Sequence, residues 1–138
     1  MTDATFEKIT LSDQPLYGPE KLIVCGFSAD VQPKFEAVIN MAGLEQVPLV
    51  WALESQSDAR LSELTALPHG SGRGESSVLP RAIIVAGISE RQLQALMAVC
   101  RQTGMKQALW ATLTPTSETW LLKDLLAELR AERKALQK

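Results

Sequence analysis

Three hydroxyls fall within four residues at Thr114-Pro115-Thr116-Ser117, just before the run LLKDLLAEL. Hydroxyls at a helix start can join its free backbone N–H groups in holding an anion. They can equally cap the helix while Pro115 fixes the turn, and capping is what these residue types favour. Two other places raise the same question: Gly26-Phe27-Ser28 and Gly87-Ile88-Ser89 each overlap the end of a continuous apolar run. The candidate ligand-binding residues are therefore Gly26, Ser28, Gly87, Ser89, Thr114, Thr116 and Ser117. Neither Gly-x-Ser is a nucleophile elbow, which needs another flanking glycine, or a phosphate loop, which needs Gly-Lys-Ser/Thr. Asp30 and Glu90 sit in the first turns of the helices that follow and would repel a phosphate. A neutral or weakly acidic small molecule suits this set better than a strong anion.

No catalytic residue, metal ligand or cofactor is assigned. His69 is the single histidine and stands beside Gly70-Ser71-Gly72-Arg73-Gly74, whereas a general base needs fixed geometry. Cys25, inside LIVCGF, and Cys100, on the apolar side of a predicted helix, read as small hydrophobes. Their spacing matches no zinc pattern, and one histidine leaves too few good ligands. An enzyme would need carboxylates such as Asp30, Glu54 or Glu90 gathered by the fold.

The 138-residue chain is 46% hydrophobic and 22% charged, ordinary values for a globular protein. A formal net charge of −2 argues against binding nucleic acid or an anionic membrane. No apolar run is long enough for a bilayer, and the first residues lack the pattern of a secretion signal. With two unpaired cysteines, this predicts a cytoplasmic protein.

Residues 1–20 read as an extended arm, with Ile9 and Leu11 alternating against polar neighbours before the turn at Pro15, Gly18 and Pro19. Leu22–Phe27 is a strand buried on both faces, and Ser28 caps a helix over 29–42 with Pro33 in its first turn. Val47–Leu53 is a second strand, with Pro48 marking its start or an edge position. Ser57 or Asp58 caps a short helix carrying Leu61, Leu64 and Leu67. Residues 69–80 are a mobile Gly/Ser-rich surface loop. The pattern then restarts: a strand at Ile83–Ile88, a helix opened by the capping box Ser89/Gln92, a strand at Ala108–Leu113, and a last helix over about 117–134.

The restart is an internal repeat, gapless at an offset of 61. Ile23 falls on Ile84, Val24 on Val85, Gly26 on Gly87, Ser28 on Ser89, Gly43 on Gly104, Leu61 on Leu122 and Leu64 on Leu125. Shared turn glycines and caps mark two β-α-β-α halves, 21–68 and 81–136, within one α/β domain over 21–138. The expected fold is a four-stranded, mainly parallel sheet with helices on both faces; the alternative is a ferredoxin-like α+β sandwich. In the parallel fold all strand-end loops would open on one edge, where the candidate residues would converge. The first half has Glu54-Ser55-Gln56 where the second has Pro115-Thr116-Ser117, so the latter turn reads as peculiar to the second half.

The segment RAIIVAGISERQLQALMAVCRQTG, followed by LWATLTPTSETWLLKDLLAELRAER, resembles the bacterial domain-of-unknown-function 3783 family. Thr114, Pro115, Thr116 and Trp120 match its Thr-Pro-Thr-Asn-x-x-Trp segment, with Ser117 at the usual Asn. The resemblance spans roughly 81–133. It implies a bacterial cytoplasmic protein and brings no activity, substrate or cofactor. Trp51 and Trp110 read as core, while Trp120 breaks the leucine spacing of the last helix and suits a rim contact with a partner. A non-catalytic protein-interaction or self-associating module is the leading expectation, with a homo-oligomer or protein partner. Small-ligand binding at the strand ends is the alternative.

Overall fold

The two continuous apolar runs form the centre of the sheet. β1 (Lys21–Cys25) and β3 (Ala82–Ala86) are buried at every residue, as strands covered on both faces must be. The computed structural model describes residues 14–105 and 108–136, so the Ile9 and Leu11 part of the expected arm lies outside the described residues. After β1 come α1 (Gln32–Met41), β2 (Leu49–Ala52), a 3-10 turn (Glu54–Gln56) and α2 (Leu61–Thr65). After β3 come α3 (Glu90–Gln102), β4 (Leu109–Thr112), a 3-10 turn (Ser117–Thr119) and α4 (Leu122–Leu136).

The strand order is β2-β1-β3-β4. β1 pairs with β2, and β3 with β4, in parallel, but the central pair β1–β3 is antiparallel. The fold is α/β with helices on both faces, as expected, but the sheet is mixed rather than mainly parallel. The ferredoxin-like alternative is also set aside, because it would place β2 beside β3 rather than at the outer edge beyond β1.

The reversal has a physical cause in the connection. The α2 crossover does bring the next extended segment back parallel to β2, as right-handed crossovers do. That segment is Gly70–Ser71, not β3. Gly70 N–H donates to the Leu49 carbonyl at 2.8 Å, and Trp51 N–H donates to the Ser71 carbonyl at 2.8 Å. Val50 and Ser71 form a parallel bridge. The chain then crosses the end of β1, where Ser77 N–H donates to the Phe27 carbonyl at 3.3 Å. It reaches Arg81 beside Gly26 and starts β3 at the end where β1 stops. The glycine-rich segment expected to be mobile is thus hydrogen-bonded along its course.

The repeat becomes a near two-fold axis through the sheet. Ile23 faces its own counterpart Ile84, and the flanking pairs exchange under the repeat, Leu22 meeting Val85 as Val24 meets Ile83. The same axis relates Arg60 and Leu121, which form an antiparallel bridge through Leu61 N–H to the Trp120 carbonyl and Leu122 N–H to the Ala59 carbonyl. α1 and α3 cover one face, with Phe35, Val38, Ile39 and Leu96 in its core; α2 and α4 cover the other through Leu61, Leu64, Leu122 and Leu126.

Three helix starts differ from expectation, that of α4 being Leu122 rather than about residue 117. α1 begins at Gln32 with Pro33 in its first turn and no side-chain cap, so Ser28 does not cap it. α2 starts after Arg60 rather than after Ser57 or Asp58, with Glu63 returning to the Arg60 N–H.

Candidate functional site

The mixed sheet separates the sequence-predicted residues. β1 and β2 end at one edge and β3 and β4 at the opposite one, so Gly26 and Ser28 lie away from Gly87, Ser89, Thr114, Thr116 and Ser117. Convergence of the three loops does not occur.

Chain backbone occupies both places. Gly26 has φ +79°, and a Cβ there would meet the Leu79 carbonyl and the Arg81 backbone. Gly87 has φ +74°, and a Cβ would come within 2.5 Å of Glu20 N and 2.6 Å of the Pro19 carbonyl carbon. Each glycine therefore lets the strand leading into the other half pass against its Cα, the close approach that only glycine allows. Ser28 hydrogen-bonds Asp30 and holds its carboxyl below the usual range. Ser89 is buried; its hydroxyl accepts from Gln92 N–H at 3.1 Å while Gln92 Oε1 accepts from Ser89 N–H at 2.8 Å. The capping box read from sequence is present.

Thr114 and Ser117 serve each other: Thr114 N–H donates to Ser117 Oγ at 3.0 Å, and Ser117 N–H to Thr114 Oγ1 at 2.9 Å. The Thr116 carbonyl accepts from the Thr119 hydroxyl. This turn does not cap the last helix, because an extended Trp120 separates it from α4 at Leu122. Nor is it peculiar to the second half. Leu53 N–H donates to Gln56 Oε1 at 2.8 Å, and Leu53 and Gln56 are the counterparts of Thr114 and Ser117. Different side chains close the same turn in each half. Trp120 is half-buried against the α2–α4 core.

The halves differ most at their outer edges. At β2, residues 69–73 lie along the strand: His69 Nδ1 accepts from Leu49 N–H at 3.0 Å, and Arg73 pairs with Glu36 at 2.9 Å. The bond to His69 requires an unprotonated Nδ1, which gives this histidine a structural task. Ile39, Val47 and Leu49, which line one cleft with His69 and Arg73, are buried, and so are Val38 and Leu44. Of their counterparts in the second half Ala108 is buried, whereas Val99, Cys100, Met105 and Trp110 are only partly buried.

Cys100, Met105 and Trp110 border a cleft of about 230 Å³ between α3 and β4, lined also by Met97, Arg101 and Arg133. Beside it runs the outer edge of β4. The N–H groups of Leu109 and Leu113 donate inward to the Arg81 and Val85 carbonyls. By strand alternation, the N–H and C=O groups of Trp110 and Thr112 point outward. Among the described residues no backbone segment pairs with them as Gly70–Ser71 pairs with Leu49 and Trp51.

The cleft offers contact rather than chemistry. Burial pushes the Cys100 thiol up, and pushes the Cys25 thiol up to about 12, so both stay neutral and are poor nucleophiles. Among the described residues no group of three His, Cys, Asp or Glu side chains could hold a metal ion. Arg133 Nη2 donates to the Ala108 carbonyl at 2.9 Å, leaving its other donors at the rim. Arg101 is exposed and makes no ion pair among the described residues.

Met97, Arg101, Met105, Thr112 and Arg133 were not singled out by their residue types, and Trp110, expected in the core, is only partly buried and lines the cleft. The repeat held a signal: Met97 stands where the first half has Glu36, and Arg101 where it has Asn40. An apolar residue replacing a charged one at a helix flank marks a surface that differs between the halves.

Residues 81–136 match the family model described as Domain of unknown function (DUF3783). That span starts at Arg81, just before β3, and ends with α4, taking in the whole second half. No curated protein and no solved structure matches the chain. No helix among the described residues is long and apolar enough to cross a membrane.

Proposed function

We propose that this chain is a non-catalytic protein-interaction module whose contact surface is the outer edge of β4 and the cleft beside it. One observation carries the reading: Ile39 and Leu49, buried beside His69 and Arg73 in the first half, have as counterparts Cys100 and Trp110, which stay partly open and line the second-half cleft. A strand edge with outward donors and acceptors is a template for an added strand, and an adjoining apolar cleft gives such a strand side-chain pockets. The added strand can come from another protein or from a second copy. A bacterial cytoplasmic setting fits the family resemblance and two unpaired thiols, which persist best in a reducing compartment.

The test uses Thr112→Pro. Proline removes an outward N–H while leaving the ladder to β3, which uses Leu109 and Leu113, in place. Light scattering on the full chain should show a dimer or a co-purifying partner, with slowed exchange of the Trp110 and Thr112 amides, and the variant should lose both at an unchanged melting temperature. A monomer without a partner, whose Trp110 and Thr112 amides exchange freely, would count against the reading.

A further inference from the structure

The two halves line their outer clefts with opposite charge. In the first half the cleft carries Glu36, Asn40 and Glu45, and the segment laid over it brings His69 and Arg73. Arg73 meets Glu36 there at 2.9 Å. This is an occupied edge within the same molecule: a segment bearing Arg73 against an acidic rim. In the second half Met97 replaces Glu36, Arg101 replaces Asn40, and α4 adds Arg133. The acidic rim has become an apolar floor with two guanidinium groups.

We infer that the segment taken up at the β4 edge is an extended, acidic stretch of a partner protein, with apolar side chains set among its carboxylates; this rests on the reading of that edge as an interaction surface. Backbone pairing to the outward groups of Trp110 and Thr112 places the segment. Its apolar side chains enter the cleft over Met97, Met105 and Trp110, and its carboxylates meet Arg101 and the free donors of Arg133. Guanidinium groups suit this task because they bind carboxylates through two parallel bonds. Symmetric pairing with β4 of a second copy fits less well, because β4 reads Leu-Trp-Ala-Thr and carries no carboxylate.

The experiment measures fluorescence anisotropy of two labelled octapeptides titrated with the full chain. One combines glutamate, leucine and valine so that each strand face carries both kinds; the other has lysine in place of every glutamate. The acidic peptide should bind at least about tenfold more tightly than its lysine twin, a difference of about 1.4 kcal/mol. Arg101→Glu should erase that preference, and Thr112→Pro should abolish binding of both peptides. Equal binding of the two peptides, still lost in Thr112→Pro, overturns the acidic partner while leaving the edge as an interaction surface. Binding of neither overturns the inference, and a dimer that Thr112→Pro dissolves would then assign the edge to a second copy. Acidic binding that ignores both substitutions overturns it as well.

Discussion

Ile23 and Ile84 are counterparts in the sequence repeat and also face each other across the antiparallel centre of the sheet. A pair that is its own image under the repeat places the two-fold axis between these side chains. Every other symmetric contact follows from that position. Gly26 and Gly87 are the clearest, because each accepts the other half's incoming strand against its Cα.

Gly26→Ala and Gly87→Ala should each destabilise the chain by about 2 kcal/mol or more. Strained left-handed backbone alone costs on the order of 1–3 kcal/mol, and the new methyl group also meets backbone that cannot swing away. Gly43→Ala is the control: its φ is also positive, at +81°, but nothing lies within 4 Å of a Cβ there. It should lose about 1 kcal/mol in urea titrations. Equal losses at all three sites would mean that close approach of the strands contributes nothing.

The sequence made the pieces legible more readily than their arrangement. Continuous apolar runs at Leu22–Phe27 and Ile83–Ile88 announced strands buried on both faces, and Ser89 with Gln92 announced a cap that is present. The direction of β3 was hidden because the α2 crossover spends its parallel return on Gly70–Ser71, two residues with no strand propensity of their own. Their pairing depends on an edge that exists only once β2 has formed. The site was hidden for a related reason. Met97, Cys100 and Trp110 have the residue types of a core, and they stay half-buried because among the described residues no segment pairs along β4 as Gly70–Ser71 pairs along β2.

Trp51 Nε1 is buried without a hydrogen-bond partner, the one such side-chain atom among the described residues. The ring packs edge-on against Phe27 and Phe35, with centroids 6.2 and 6.1 Å away. An orphaned buried donor costs about 1–3 kcal/mol, which offsets part of what the ring contributes by packing. Trp51→Phe should therefore stay within about 1 kcal/mol of the parent, while Trp51→Ala should lose about 3–5 kcal/mol. Thermal unfolding of the pair checks this; a Phe variant as damaged as the Ala variant would show that the indole N–H has a partner.

Tyr17 donates its hydroxyl to Glu118 at 2.8 Å, joining the segment before β1 to the turn before α4. That bond to a carboxylate raises the phenol above its ordinary value of 10.0. A raised value means that the folded state favours the protonated phenol. The contribution is therefore complete below pH 10 and is lost as pH rises through the folded value. Stability measured from pH 8 to 11 should fall more steeply for the parent than for Tyr17→Phe. Parallel profiles would show that the bond is not kept in solution.

The paired turns offer the sharpest test of how the halves cooperate. Gln56 and Ser117 each close a turn by accepting a backbone N–H three residues earlier. The two turns lead into the bridge between Arg60 and Leu121, and Lys123 N–H reaches across to the Ser57 carbonyl at 3.0 Å. Gln56→Ala and Ser117→Ala should each cost about 1 kcal/mol, the usual value for losing one such bond. Because both turns hold the same bridge, loosening one removes part of what the other can stabilise. The double variant should then lose less than the sum of the singles, by at least about 0.5 kcal/mol. Additivity within about 0.3 kcal/mol would show the turns to be independent and the bridge to be held by the α2–α4 core alone.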